Sequence, residues 1–207
     1  MNRWLIAWNR ALATPLRGST RALVLALLIP LGVAAAAPLW TLRMVAPQYP
    51  AGLELRIYPY TVEGDIQEVN TLNHYIGMAA IDRAALSDLD WLPFAIGAAA
   101  LLILRVAAIG DLRALVDLAA LFTYFGAFSF ARFAYALYVF GHNLNPDAPF
   151  DVAPFTPVVL GTGQVANFTI TSLPATGALA LSAIGVALLG LLVASVRAAL
   201  RVRAAPA

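Results

Sequence analysis

Four long apolar stretches, over residues 22–40, 91–109, 114–140 and 173–196, dominate the chain, and polar or charged residues return between them. Crossing a hydrocarbon layer of ~30 Å at about 1.5 Å per residue takes roughly 20 residues, so each stretch is long enough to span. Helices are predicted for all four, because an open chain in lipid satisfies its own backbone only as a helix. They leave an opening segment over 1–21, loops over 41–90 and 141–172, a turn over 110–113 and a tail over 197–207.

The first loop has two parts. Leu53-Glu54-Leu55-Arg56-Ile57-Tyr58 alternates apolar and polar, with Pro47, Pro50, Gly52 and Pro59 as punctuation, which predicts a short strand or extended piece. From Asp65 to Met78 the apolar positions Ile66, Val69, Leu72 and Ile76 take helical spacing, and Asp65 stands where a carboxylate suits the helix dipole. The expected architecture is an all-α membrane protein: a four-transmembrane-helix bundle with an outer loop domain of extended and short helical pieces.

Charge sets the direction of the spans. Arg3, Arg10, Arg17 and Arg21 precede the first span and Arg197, Arg201 and Arg203 follow the last, with no acid in either segment. By the positive-inside rule both termini are cytoplasmic. The 41–90 loop carries seven acids against three arginines, and the 141–172 loop adds Asp147 and Asp151 with no arginine, so both face outward. Trp4, Leu5, Ile6, Trp8 and Leu12 among Arg3, Asn9, Arg10 and Arg17 read as an amphipathic helix in the inner interface. A secretory signal is the rival reading, since small residues at Ala34 to Ala37 follow an apolar core.

Composition agrees with lipid as the main solvent: 61% of residues are hydrophobic and 12% charged, about half the usual charged share. All 13 basic residues are arginine, and the absence of cysteine excludes disulfides and thiolate metal sites. Nucleic acid is excluded as a partner, because no basic face exists outside the membrane-flanking segments. No carboxylate cluster, nucleophile–base pair or phosphate-cradling loop marks an enzyme.

Two charges fall inside the third span. Asp117 lies near its inner end and Arg132 about two turns below its outer end. Arg132 either pairs with an acidic loop residue or meets an anionic or quinone-type headgroup. The same span holds nine aromatic residues from Phe122 to Phe140, read as packing and an interfacial belt, with a cofactor lining as the alternative.

Asn70, His74 and Met78 are spaced i, i+4, i+8, which places them on one helical face. His142, the second of two histidines, closes the third span, and Met44 follows the first. Imidazole and thioether groups brought together on the outer side suit copper, so His74, Met78, His142 and Met44 are the candidate ligands. The alternative for each histidine is an interfacial hydrogen-bonding role.

Three stretches carry a resemblance: residues 46–53 (Ala-Pro-Gln-Tyr-Pro-Ala-Gly-Leu), 70–78 (Asn-Thr-Leu-Asn-His-Tyr-Ile-Gly-Met) and 141–149 (Gly-His-Asn-Leu-Asn-Pro-Asp-Ala-Pro). They resemble a family of small polytopic membrane proteins encoded in nitrous oxide reductase gene clusters of the clade II type. Pro157, Gly161, Asn167, Phe168 and Pro174 continue the likeness, while the basic, aromatic start is longer than in that family. The resemblance implies a non-enzymatic accessory of the bacterial cytoplasmic membrane beside an extracytoplasmic copper enzyme. Its expected partners are the bilayer and other membrane or extracytoplasmic proteins, in a homo- or hetero-oligomer. Two other roles stay open: a subunit of an electron-transfer complex, sharing haem or quinone with partner chains near Arg132, and a purely structural subunit.

Overall fold

The computed structural model describes residues 9–82, 84–165 and 167–204. Arg3, Trp4, Leu5, Ile6 and Trp8 of the expected amphipathic segment, and Arg83, lie outside the described residues. In chain order the elements are α1 (Gly18–Ala26), α2 (Leu28–Ala36), β1 (Trp40–Ala46), β2 (Tyr49–Ile57), β3 (Val62–Gly64), α3 (Ile66–Tyr75), a 3-10 turn (Ser87–Leu89), α4 (Leu92–Ile109), α5 (Leu112–His142), β4 (Gly161–Val165), β5 (Phe168–Pro174) and α6 (Thr176–Ala204).

Four helical stretches are long and apolar enough to cross a membrane: Gly18–Ala36, Leu92–Ile109, Leu112–His142 and Thr176–Arg201. The first is broken at Leu27, because Pro30 has no N–H for the carbonyl four residues back and its ring crowds that carbonyl.

The all-α expectation is wrong. Both loops that separate the apolar stretches contribute to one five-stranded antiparallel sheet of order β3-β2-β1-β5-β4. Its centre pairs β1, from the first loop, with β5, from the second, in the register Trp40↔Pro174 to Val45↔Thr169. A strand pairing across more than a hundred residues leaves no local periodic signature, and both strands begin or end inside apolar windows that read as spans. Trp40 opens β1 rather than closing a helix, and Leu173 belongs to β5 rather than starting one.

The chain forms two compact units. The first takes residues 1–32, 95–126 and 180–207. Its buried positions, among them Val24, Ile103, Val106, Leu115, Leu118, Ile184 and Leu188, recur at helical spacing, while Ile29, Leu101 and Val186 are exposed. Apolar side chains on the outside as well as the inside are what a lipid-facing helix requires. At one end Leu16 N–H donates to Gly110 O at 2.7 Å and Leu112 N–H to Thr14 O at 3.0 Å, and the Arg21 guanidinium donates to the carbonyls of Ala107 and Ala108. Those carbonyls end α4 without helical partners, so the arginine caps the helix and meets the negative end of its dipole. Asp111 caps α5 by accepting from Ala114 N–H at 2.8 Å. Asp117 pairs with Arg105 at 3.3 Å across α4 and α5, which accounts for the acid inside the third apolar stretch.

The second unit takes residues 33–94 and 127–179 and holds the sheet, α3 and the C-terminal half of α5. Gly64 is indispensable to it. Its φ is +116°, and a Cβ there would fall 2.0 Å from the Glu54 carbonyl oxygen, where β3 turns into α3. Asp65, next in the chain, accepts from Glu54 N–H at 2.8 Å through its carboxylate and donates its own N–H to Glu54 O at 3.0 Å.

Candidate functional site

Three apolar faces converge within the sheet-bearing unit. On the sheet, register places Leu42 beside Leu55 and Met44 beside Ile170, so these alternate residues of β1, β2 and β5 share one side. On α3 and its C-cap, Val69, Leu72 and Ile76 keep i, i+3, i+7 spacing. On α5, Ser129, Arg132, Phe133, Ala136, Leu137 and Phe140 fall on one stripe. All these residues line a single cavity of about 680 Å³.

The long segment between α5 and β4 contributes the rest of the wall through Phe150, Val152, Phe155 and Pro157. It is held by backbone bonds: Phe150 N–H to Tyr75 O at 3.0 Å, Asn145 N–H to Gly77 O at 2.8 Å and Phe155 N–H to Gly141 O at 3.0 Å. A Cβ on Gly141 would lie 1.9 Å from the Phe155 carbonyl oxygen, so that glycine is what allows the segment to pass so near α5. Structureless stretches of this length are uncommon in compact units.

The volume lies inside the ~300–1,000 Å³ range of small-molecule sites. Water does not fill it well, since an ordered water needs about two to four polar partners and the wall is overwhelmingly apolar. The arrangement suits an apolar guest.

No protein-family model matches the sequence, and no characterised protein or solved structure shows significant similarity to it. The site is therefore read from its own geometry.

Arg132 is the charged residue of the described wall, and its Cζ lies 5.4 Å from the ring centroid of Tyr135. Met44 and Met78 also line the cavity, whereas His74 and His142 are not among its lining residues. The i, i+4, i+8 alignment of Asn70, His74 and Met78 does not extend to the methionine. The helix stops at Tyr75, Gly77 takes a φ of +78°, and Met78 turns into the cavity while His74 stays exposed. Asn70 instead ties down the returning chain, accepting from Ile81 N–H at 2.7 Å and donating to Ile81 O at 3.3 Å.

His142 Nδ1 donates to the Tyr138 carbonyl at 2.9 Å and its ring stacks on the Tyr138 ring at 3.8 Å. A carbonyl only accepts, so in this contact the proton sits on Nδ1. His74 lies against Tyr75, ring centroids 6.1 Å apart. Among the described residues no group of three or more His, Cys, Asp or Glu could hold a metal ion. The two loops do meet, through the Asn145–Gly77 backbone bond, through the Tyr75 and Phe150 rings with centroids 6.0 Å apart, and through the Asn167–Gln48 bond.

The aromatic residues of α5 divide by face. Phe133 and Phe140 line the cavity, while Tyr124, Phe128, Phe130, Tyr135 and Tyr138 are exposed, as in an interfacial belt. Of the sheet wall, the alternation over Leu53–Tyr58 marks β2 as an extended piece, as the structure has it, whereas β1 and β5 carry no such expectation; the signal for β5 is the alternation Phe168, Ile170, Ser172.

Proposed function

We propose that this chain is a non-enzymatic accessory protein of a bacterial cytoplasmic membrane, with both termini inside, whose sheet-bearing unit on the outer side binds a small apolar molecule for a membrane oxidoreductase system. The observation that carries this reading is the 680 Å³ cavity walled by sheet, α3 and α5. The arginine bias of the terminal segments supports the orientation, and the loop resemblance supports a place beside nitrous oxide reductase. The wall favours binding over turnover, because its charged group is a guanidinium, a donor with no acceptor capacity.

Titration of the detergent-purified chain with Nile red tests the reading. Saturable binding by the parent, lost in Ala136→Phe, which fills the cavity from α5, is the expected result. Equal binding by parent and variant, or none by the parent, refutes it.

A copper role is the second reading. It is favoured by Met44 and Met78 lining the same cavity, and by the Asn145–Gly77 bond that joins the loops carrying His142 and His74. Thioether and imidazole groups suit Cu(I). Stoichiometric copper in the purified protein, reduced in Met44→Leu with Met78→Leu or in His74→Ala with His142→Ala, is expected on this reading. A metal-free protein after growth in copper removes it.

A further inference from the structure

The wall specifies more than an apolar guest. Trp91 precedes α4, Phe133 and Phe140 come from α5, Phe155 from the segment before β4, and Phe168 from β5, so aromatic rings reach the cavity from four parts of the unit. Aromatic rings pack best against another flat conjugated ring in offset or edge-on contact. The aliphatic remainder of the wall, Leu42, Leu55 and Ile57 from the sheet among them, suits a branched hydrocarbon chain.

Polar groups that can meet a guest are few. Asn73 donates its amide to Ala79 O at 3.2 Å, and Asn167 donates its amide to Gln48 Oε1 at 3.2 Å. Arg132 is different in kind, because a guanidinium carries five N–H donors in a planar fork and serves more than one acceptor at once. A guest with acceptor atoms in the plane of a conjugated ring and an apolar tail matches these features together.

We propose that the cavity binds a quinone, one ring carbonyl accepting from Arg132 and the prenyl tail lying along the sheet face. The inference rests on the apolar-ligand reading above and names its ligand class. An acyl lipid would use the aliphatic wall and leave the rings without a planar partner. Haem would need an axial ligand; neither histidine lines the cavity, and among the described lining residues the groups that could serve are the thioethers of Met44 and Met78 and the phenol of Tyr75.

The test uses the full chain in phosphatidylcholine nanodiscs, titrated with short-chain ubiquinone and menaquinone analogues while tryptophan fluorescence is read, with Trp91→Phe identifying the quenching that arises in the cavity. Saturable quenching is expected in the parent, lost in Ala136→Phe and kept in Ala131→Phe, which lies off the lining stripe of α5. Arg132→Met weakens it about tenfold, the effect of losing one hydrogen bond to a charged group. If Arg132→Met does not fold, the Ala136→Phe and Ala131→Phe pair still decides occupancy of the cavity.

Three results overturn the proposal: no saturable quenching by either quinone, affinity unchanged in a folded Arg132→Met, or a Soret band in the purified protein. Nile red binding that survives the first of these keeps the apolar-ligand reading and discards the quinone. Failure of both probes discards both.

Discussion

The backbone N–H of Asn145 donates to the carbonyl of Gly77 at 2.8 Å, which makes the turn after α3 and the segment after α5 one hydrogen-bonded corner. Gly77 holds this corner with a φ of +78°, and a Cβ there would stand 2.7 Å from the Asn145 carbonyl oxygen. The turn that places Met78 in the cavity and the segment that places Phe150 there depend on each other.

Gly77→Ala is therefore expected to destabilise the sheet-bearing unit by roughly 1–3 kcal/mol, through both the left-handed backbone and the collision. Thermal unfolding in detergent, followed by tryptophan fluorescence, measures it. An unchanged midpoint would mean that the corner is not fixed as described.

Ser172 is fully buried between two partners, accepting from the Trp40 indole N–H at 2.7 Å and donating to Val159 O at 2.9 Å. Ser172→Ala takes this partner from the half-buried Trp40 indole N–H and Val159 carbonyl at the β1–β5 centre, at a cost of about 1–3 kcal/mol. Ser172→Thr keeps the hydroxyl but adds a methyl group where there is no room. Both are expected to lower the unfolding midpoint, and urea titration in detergent checks it.

Arg105 and Asp117 form an ion pair at 3.3 Å between α4 and α5. In lipid, removing one partner leaves an uncompensated charge, whereas removing both does not. Either single alanine variant is thus expected to be less stable than the double variant in a bilayer mimic. Additive losses in a double-mutant cycle would show that the two charges do not interact there.

The chain has no cysteine, so single cysteines introduced at exposed positions report topology against a silent background. Ser87→Cys and Thr162→Cys are expected to react with a membrane-impermeant maleimide added to intact spheroplasts, and Arg113→Cys only after lysis. Labelling of Arg113→Cys from outside would reverse the proposed orientation.

The helical half of the protein was legible because lipid imposes a strict local rule. A stretch such as residues 91–109 must satisfy every backbone group within itself, and hydropathy alone then marks it. The helix at Ile66–Tyr75 was legible for a similar reason, its apolar positions repeating at helical spacing. The partner of Asp117 was not, although Arg105 stood in plain view, because twelve residues and a helical turn separate them.

What the chain alone determined is its solvent, the number of its apolar helices and where its arginines and acids are segregated, all consequences of burial and charge that act locally. What only the tertiary structure decided is the sheet and its cavity. Leu42 and Ser172 become neighbours through backbone strand pairing across more than a hundred residues, and such pairing carries no local side-chain signature. The histidines singled out by chemistry do not line the cavity, while Leu42, Ile170 and Phe155, silent one by one, were gathered into a single wall by the pairing of distant strands.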